Sequence, residues 1–456
     1  MFRKVIKIIK QLLPKNIKKV MRSFLLMKPG AKKPSKNIMH YKKIGIADIN
    51  EDIAYLRNMA FEKRSDEIVN NIRSKVVSGG KVKVAFVVNE AAKWNCDSVW
   101  DYMIDHPSWD PVVVVSLANY SRKINKLNRS TKYSEEFDFY IKIDPDAIPL
   151  YSESEDIQYP IEDLDADIFF FQQPWGMRDF PKRVSGTGLA CYMHYGFLMM
   201  NAEEKHYNLR SFHPYLWRYF SQSKLHRCVH LITDNLAAKR IVVTGYPKLD
   251  YYLDGDKTVN EDRRKRVIFA PHHSLGKKTL NMSTFRWSGE FVFDLARTHP
   301  DIDWIYKPHP NLEFTVVKNG VMTKEEYVNY LNSWEELDNC QVLTGGNYLY
   351  VFDSSDLLIT DCGSFLAEYL PTGRPIIHLK NKGAVEFHKF GEVLSEGFYQ
   401  AENPEELMEI FRNVFLEGND SLTERRAELM NLLFPSGKSA TFNLIDHLEE
   451  QFSIQR

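Results

Sequence analysis

The chain has 456 residues, 44% hydrophobic and 26% charged, the balance of an ordinary soluble globular protein with room for two or three domains with sizeable cores. The net charge of +0 conceals an asymmetry: 14 of the 60 Lys and Arg fall within residues 1–47, which hold no acid, leaving 46 basic against 60 acidic residues in the rest. A body with a net charge of −14 repels phosphate backbones and excludes a nucleic-acid binder, whereas the basic leader suits an anionic surface.

The leader comes first. Phe2, Val5, Ile6, Ile9, Leu12 and Leu13 recur at helical spacing, with Lys4, Lys7 and Lys10 between them; after Pro14 the pattern resumes with Ile17, Val20, Met21, Phe24 and Leu25. This predicts a basic amphipathic helix, kinked at Pro14 or split in two. Residues 1–27 would then lie in a membrane interface, each basic residue adding about 1 kcal/mol near an anionic leaflet. The alternative is a helix packed on the body with its lysines in water. Lysines interrupt every apolar stretch, so the start is not a secretory signal, and no apolar run approaches the roughly 18–20 residues of a transmembrane helix. Residues 28–43 read as a basic linker.

The body follows with a helix over 48–78 and a strand Val82–Val88. Further strands are expected at Pro111–Leu117, Ile168–Gln172, Ala190–Tyr195, Leu231–Thr233 and Ile241–Thr244. A polar stretch at 254–266 reads as a linker. Strands resume at Val267–Ala270, Trp304–Tyr306, Gln341–Leu343, Leu357–Thr360 and Ile376–Leu379, and a last helix is expected near 440–452. Strands alternating with helices predict parallel, doubly wound sheets. The expected fold class is α/β with two Rossmann-like domains facing a cleft: a leader and linker (1–45), an N-terminal acceptor domain (46–255) and a C-terminal nucleotide-donor domain (256–456). Five scattered cysteines without metal spacing fit reduced thiols in a cytosol.

Three second-domain strands end in polar turns: Pro271-His272-His273-Ser274, Lys307-Pro308-His309-Pro310 and Thr360-Asp361-Cys362-Gly363-Ser364. The last opens a helix, where free N–H groups and the helix dipole favour a phosphate. Ser364 also suits an N-cap, and Asp361, which repels phosphate, is expected to fix the turn or hold a nucleotide hydroxyl. Glu368 faces either a ribose or solvent. Of the adjacent His272 and His273, at most one is expected to meet the donor, and the pair alone makes no metal site, which needs further ligands. In the first domain, His194 is the leading candidate for a general base, because an acceptor hydroxyl must lose a proton and an imidazole titrates near neutrality; the competing reading is a core histidine. His213 and His230 are weaker candidates. Asp144-Pro145-Asp146 and Asp165-Ala166-Asp167 resemble metal-binding acidic pairs, but such pairs are common by chance and the second suits a cap at the start of a strand.

The set of turns, from GYPKLDYYL (245–253) and VIFAPHHS (267–274) through WIYKPHP (304–310), SSDLLITDCGS (354–364) and GRPIIHL (373–379) to FPSGKSATFNLIDHL (434–448), resembles in order and spacing the CDP-glycerol glycerophosphotransferase family of teichoic-acid primases and polymerases. The resemblance spans roughly residues 80–450. His272-His273-Ser274 stands where that family has Thr-Trp-Arg, Cys362-Gly363 where it has Tyr-Ser, and Met193-His194-Tyr195-Gly196 only echoes its His-Gly-Thr-Pro-Leu-Lys.

The resemblance implies the GT-B arrangement and a transferase that moves a glycerol- or ribitol-phosphate from a CDP-linked donor to a hydroxyl of a lipid-linked or polymeric cell-surface glycan. His309 would contact the donor diphosphate and act with His194 in catalysis. His272, His273, Ser274, Lys307, Thr360, Asp361, Gly363 and Ser364 would bind the donor. No metal or cofactor is expected beyond the nucleotide-activated donor, and the protein would sit on the inner face of the cell membrane. The alternatives are a GT-B glycosyltransferase using a UDP- or GDP-sugar in capsule or surface-polysaccharide synthesis, a scaffold of the same fold that has lost activity (for which the missing arginine speaks), and a nucleotide-sugar epimerase, which leaves the basic leader without a purpose.

Overall fold

Two runs of β-branched and aromatic residues build two parallel sheets. The computed structural model describes residues 36–117, 126–202, 209, 211–227, 240–253, 263–276, 279–344 and 348–455, without the side chains of 36–54 and 126–128. The leader, the expected strand Leu231–Thr233, His230 and most of the 254–266 linker lie outside the described residues. Two units result, residues 1–63 and 64–456. The first helix described spans Lys36–Val77. Its start corrects the expected linker over 28–43: Gly30 and Pro34 precede it, and residues 36–43 contain no helix breaker.

Within the larger unit the first sheet comprises β1 (Val82–Val88), β2 (Trp109–Val115), β3 (Ile148–Pro149), β6 (Ile168–Phe171), β7 (Leu189–Met193), β8 (Arg218–Ser221) and β9 (Ile241–Val243); β4 (Tyr151–Ser152) and β5 (Ile157–Gln158) form a small separate hairpin. The second sheet comprises β10 (Arg266–Ala270), β11 (Asp303–Tyr306), β12 (Cys340–Val342), β13 (Leu357–Thr360), β14 (Ile376–Leu379) and β15 (Tyr399–Ala401). Their orders are β3-β2-β1-β6-β7-β8-β9 and β12-β11-β10-β13-β14-β15, with every pairing parallel. Each order reverses direction beside its first strand, at β1/β6 and β10/β13. In doubly wound sheets ligands bind just beyond the strand ends at that switch. The two Rossmann-like domains expected from the sequence are therefore present. The additional strands β3, β8 and β15 are short or polar (Ile-Pro, Arg-Tyr-Phe-Ser, Tyr-Gln-Ala), with too little apolar pattern to be read as strands.

Strand residues alternate between the two faces of each sheet. Val84, Phe86 and Val88 join one core of the first domain, Ala85 and Val87 the other. Val267 and Phe269 face one core of the second, Ile268 and Ala270 the other. That double-sided burial is why parallel strands read as continuous apolar runs.

Two connections lock the domains together. The final helix, Ala440–Phe452, returns to the first domain and buries Leu444, Ile445, Leu448 and Phe452 in its core. Asp250 holds the start of that helix, accepting from the N–H groups of Ala440 (2.7 Å) and Thr441 (2.8 Å), so the Asp of the GYPKLD segment is a helix anchor. In the other direction, Phe197 and Met199 of the first domain enter a core of the second. Beside them His226 Nε2 and His388 Nε2, one from each domain, lie 2.7 and 2.8 Å from the carbonyl oxygen of Leu198.

Burial and the neighbouring His388 hold His226 down to about 3. Its folded pKa lies below the unfolded value of about 6.5, so the unfolded chain binds the extra proton and stability falls as the pH drops through 6.5. The stability advantage of the wild type over His226→Asn should therefore shrink by up to about 1.4 kcal/mol per pH unit between pH 6 and 4.5 in urea titrations; an advantage independent of pH contradicts this.

Candidate active site

The ends of three neighbouring strands converge in the second domain. After β10 the chain turns through Pro271-His272-His273, after β11 through Lys307-Pro308-His309, and after β13 through Asp361-Cys362-Gly363. A buried carboxylate ties the first and last together. Asp361 Oδ1 accepts from the N–H of His272 (2.5 Å), and Oδ2 from the N–H (2.6 Å) and hydroxyl (2.9 Å) of Thr284. Burial raises Asp361 to about 6 against these three donors. Asp361 thus fixes the turn, one of its two expected roles. Thr360 adds to the brace: its hydroxyl donates to the Ala270 carbonyl (2.5 Å) and accepts from the N–H of Cys362 (3.0 Å). The third turn is attached by the N–H of His309 to the Pro271 carbonyl (3.1 Å).

So held, three imidazoles meet. The ring centres of His272, His273 and His309 lie 4.3, 5.0 and 3.9 Å apart pairwise. Both of the adjacent histidines reach this point: the chain has left the strand, so the strict alternation of side chains no longer applies, and both rings abut His309. Burial is the main force holding all three neutral. It lowers His273 to about 4, with help from Lys93, and His272 and His309 well below the ordinary range, with mutual repulsion and, for His309, the charges of Lys93 and Lys307.

Hydrogen bonding decides where the protons sit. His272 Nδ1 accepts from the N–H of Ser274 (3.1 Å), and the Ser274 hydroxyl, itself accepting from the N–H of Met282 (3.0 Å), lies 2.8 Å from the same nitrogen. His309 Nδ1 accepts from the N–H of Asn311 (3.0 Å). Both neutral rings therefore carry their proton on Nε2. The nitrogens of the three histidines lie within 4.8 Å of one another, near enough to share a cation. A cation, however, needs a lone pair from each ring, and in His272 and His309 the Nδ1 pair is engaged while Nε2 is protonated. With two lysines acting on the cluster as well, the set suits an anion.

Lys307 is buried beside this cluster, its Nζ 5.2 Å from the ring of Tyr348; burial and the charge of Lys248 lower it to about 8. Lys248, in the GYPKLD segment, donates to the Tyr348 hydroxyl (2.9 Å). Glu368 is buried, not surface: it takes the hydroxyls of Tyr348 and Tyr246, and burial raises its pKa. Gly363 and Ser364 lie at the start of a short helix, Gly363–Tyr369, whose cap is Cys362 and not Ser364. A side chain at Gly363 would come within 3.3 Å of Met200 of the first domain, and one at Gly196 within 3.7 Å of Ser364, so this turn faces the first domain at contact distance.

The opposing wall comes from the ends of β1, β6 and β7. His194 follows β7 and is buried, its carbonyl accepting from the Asn95 amide (3.0 Å). Its Nδ1 accepts from the N–H of Gly196 (3.2 Å) and lies 2.8 Å from the carbonyl oxygen of the same residue. The His194 ring stacks on Tyr195 at 4.8 Å.

Among the expected site residues, then, His309, His272, His273 and Lys307 cluster, Gly363 and Ser364 line the contact with the first domain, and His194 lies on the opposing wall. Ser274, Thr360 and Asp361 spend their polar atoms on braces. His213 packs among Tyr192, Phe212 and Tyr219. Asp144 accepts from the N–H of Val113 (2.8 Å) and Asp167 from that of Lys83 (2.8 Å), which makes both strand supports. The sequence reading did not single out Lys93, Trp175, Tyr195, Lys248 or Tyr348. For Lys93 a signal existed: it lies five residues beyond β1, at the switch point.

No protein-family model matches the sequence, and no curated protein matches it. Solved structures do. The UDP-GlcNAc 2-epimerase of Neisseria meningitidis bound to UDP-GlcNAc aligns over 81% of this chain and 100% of its own, at TM-score 0.54 and 13% identity. A putative UDP-N-acetylglucosamine 2-epimerase of Listeria monocytogenes aligns over 83% and 98%, at TM-score 0.50 and 13% identity. The wall teichoic acid polymerase TagF, soaked with CDPG, aligns over 89% and 98% at TM-score 0.46 and 12% identity. At such identities the likeness is one of fold, and the fold is GT-B.

The brace is testable. Asp361→Asn leaves an amide N–H₂ facing a backbone N–H and should lower unfolding stability by roughly 1.5–3 kcal/mol in urea titrations at pH 7.5; an unchanged midpoint would contradict the assigned role.

Proposed function

We propose that this protein transfers an alditol phosphate from a CDP-linked donor to a hydroxyl of a lipid-linked or polymeric cell-surface glycan. The observation that carries the reading is the opposition of two walls: three neutral imidazoles and Lys307 clustered at the strand ends of the second domain, and His194 on the wall of the first. Transfer of a phosphoryl-linked group needs both. The donor diphosphate lies against His272, His273, His309 and Lys307, with Ser364 beside it. The acceptor hydroxyl lies at His194. Its oxygen forms a bond to the β-phosphorus, the bond from that phosphorus to the bridging oxygen breaks, and CMP leaves with the electron pair. His194 takes the acceptor's proton. The charge that gathers on the departing phosphate meets preset N–H donors in a site largely shielded from water, where such donors act most strongly. Positioning across the two domains supplies the remainder.

The His272-His273-Ser274 turn replaces the Thr-Trp-Arg of the resembled family and, with His309, supplies donors by another route, which favours an active enzyme over a lapsed scaffold. Thermal-shift titration with CMP, CDP, CDP-glycerol, CDP-ribitol, UDP, UDP-sugars and GDP tests the donor. Selective stabilisation by cytidine ligands, reduced at least about tenfold in affinity by His309→Ala, is expected. A selective response to UDP or GDP would overturn the cytidine assignment in favour of sugar transfer, and no response to any nucleotide would overturn the enzyme reading.

Residues 1–27 are proposed to hold the protein on an anionic membrane face. Among the described residues no helix is long and apolar enough to cross a membrane. The full chain should co-sediment with vesicles containing phosphatidylglycerol and lose that binding when residues 1–27 are removed. Equal sedimentation of both forms would refute it.

A further inference from the structure

The first domain sends one cation toward the histidine cluster. Lys93 closes a single turn, Ala91–Lys93, that follows β1 at the switch point of its sheet. Its ammonium is fixed on three sides: Glu90 accepts from it at 2.6 Å, and the rings of Tyr195 and Trp175 lie 5.2 and 5.6 Å away. Tyr195 in turn stacks on His194 at 4.8 Å, so the ammonium lies one ring from the proposed base. The same segment meets the second domain, since a side chain at Gly196, next to Tyr195, would come within 3.7 Å of Ser364, and the charge of Lys93 lowers both His273 and His309. About a fifth of the Lys93 side-chain surface remains open, as does 16% of Glu90.

A purely structural lysine would leave little to explain here except its direction. A cation already paired with Glu90 has no need to stand against a cluster whose charged form it disfavours. The arrangement makes sense when an anion enters between them. A phosphoryl group placed against the Nε2–H donors of His272 and His309 has its far oxygens directed at the first domain, where Lys93 stands with its position already fixed by the aromatic box. Preset geometry reduces the entropy lost on binding, and an ammonium bonded to a phosphoryl oxygen is a charge-assisted contact.

We propose that Lys93 grips the distal phosphoryl group of a nucleoside diphosphate, closing the donor site from the opposite domain. The proximal phosphate is left to the second domain. This rests on the nucleotide-donor reading above and adds a division of labour: the second domain recognises the nucleoside monophosphate, and Lys93 recognises the group to be transferred.

Calorimetric titration of the full chain with CMP against CDP, and UMP against UDP, tests it. The wild type should bind the diphosphate of the preferred base at least about tenfold more tightly than the monophosphate. In Lys93→Met that ratio should fall to about twofold or less, with monophosphate affinity within about twofold of wild type, and Lys93→Arg should restore most of it. A ratio preserved in Lys93→Met overturns the proposal, as does an equal loss for mono- and diphosphate, which marks a structural role. A wild type that binds both forms equally also overturns it, leaving the donor reading intact. A wild type that binds no nucleotide overturns the donor reading itself.

Discussion

A single buried carboxylate organises the site. Strand order alone makes β10 a neighbour of both β11 and β13, so three loops leave the sheet side by side. Adjacency does not aim imidazoles, however. Asp361 does, by accepting from the His272 N–H and from two groups of Thr284, which fixes the second residue after β10 to the first residue after β13. Burying that charge is costly, and the raised pKa of about 6 records it. The three donors offset much of the cost, and a turn whose backbone polar groups are satisfied by a side chain loses its alternatives. His309 then needs only its bond to the Pro271 carbonyl to complete the cluster.

The histidines on the two walls sit in the same kind of short turn. In each of His194, His272 and His309, Nδ1 accepts from the backbone N–H two residues on. At His194 the carbonyl of that same residue also approaches the ring nitrogen, at 2.8 Å. The same burial that keeps the second-domain rings neutral would strengthen any hydrogen bond they make to an anion. These neutral rings and a lysine of lowered pKa are the groups on which the proposed donor site rests.

Much of this was legible in the chain. The runs Val82–Val88, Leu357–Thr360 and Ile376–Leu379 are apolar on both faces and end at polar turns, and the structure places strands there with those limits. The turns after β10, β11 and β13 could be recognised as site-forming because each begins where an apolar run stops. β8 and β15 could not, because four residues such as Arg-Tyr-Phe-Ser, or three such as Tyr-Gln-Ala, hold no period. Asp361 was recognisable as a turn residue, whereas Glu368 was ambiguous: a single acid in a helix carries no sign of the two tyrosine hydroxyls that come to it from separate segments.

By itself, then, the sequence determined the class of fold and which strand ends carry polar residues, because apolar periodicity and turn composition are local properties. It also determined the basic leader and acidic body, which are matters of composition. Only the tertiary structure decided that both members of the His272-His273 pair reach His309, that His194 lies on the opposing wall, that Asp250 anchors the final helix, and that the charge of Lys93 reaches the second domain's histidines. Each of these depends on the relative placement of segments distant along the chain, which leaves no mark in residue order.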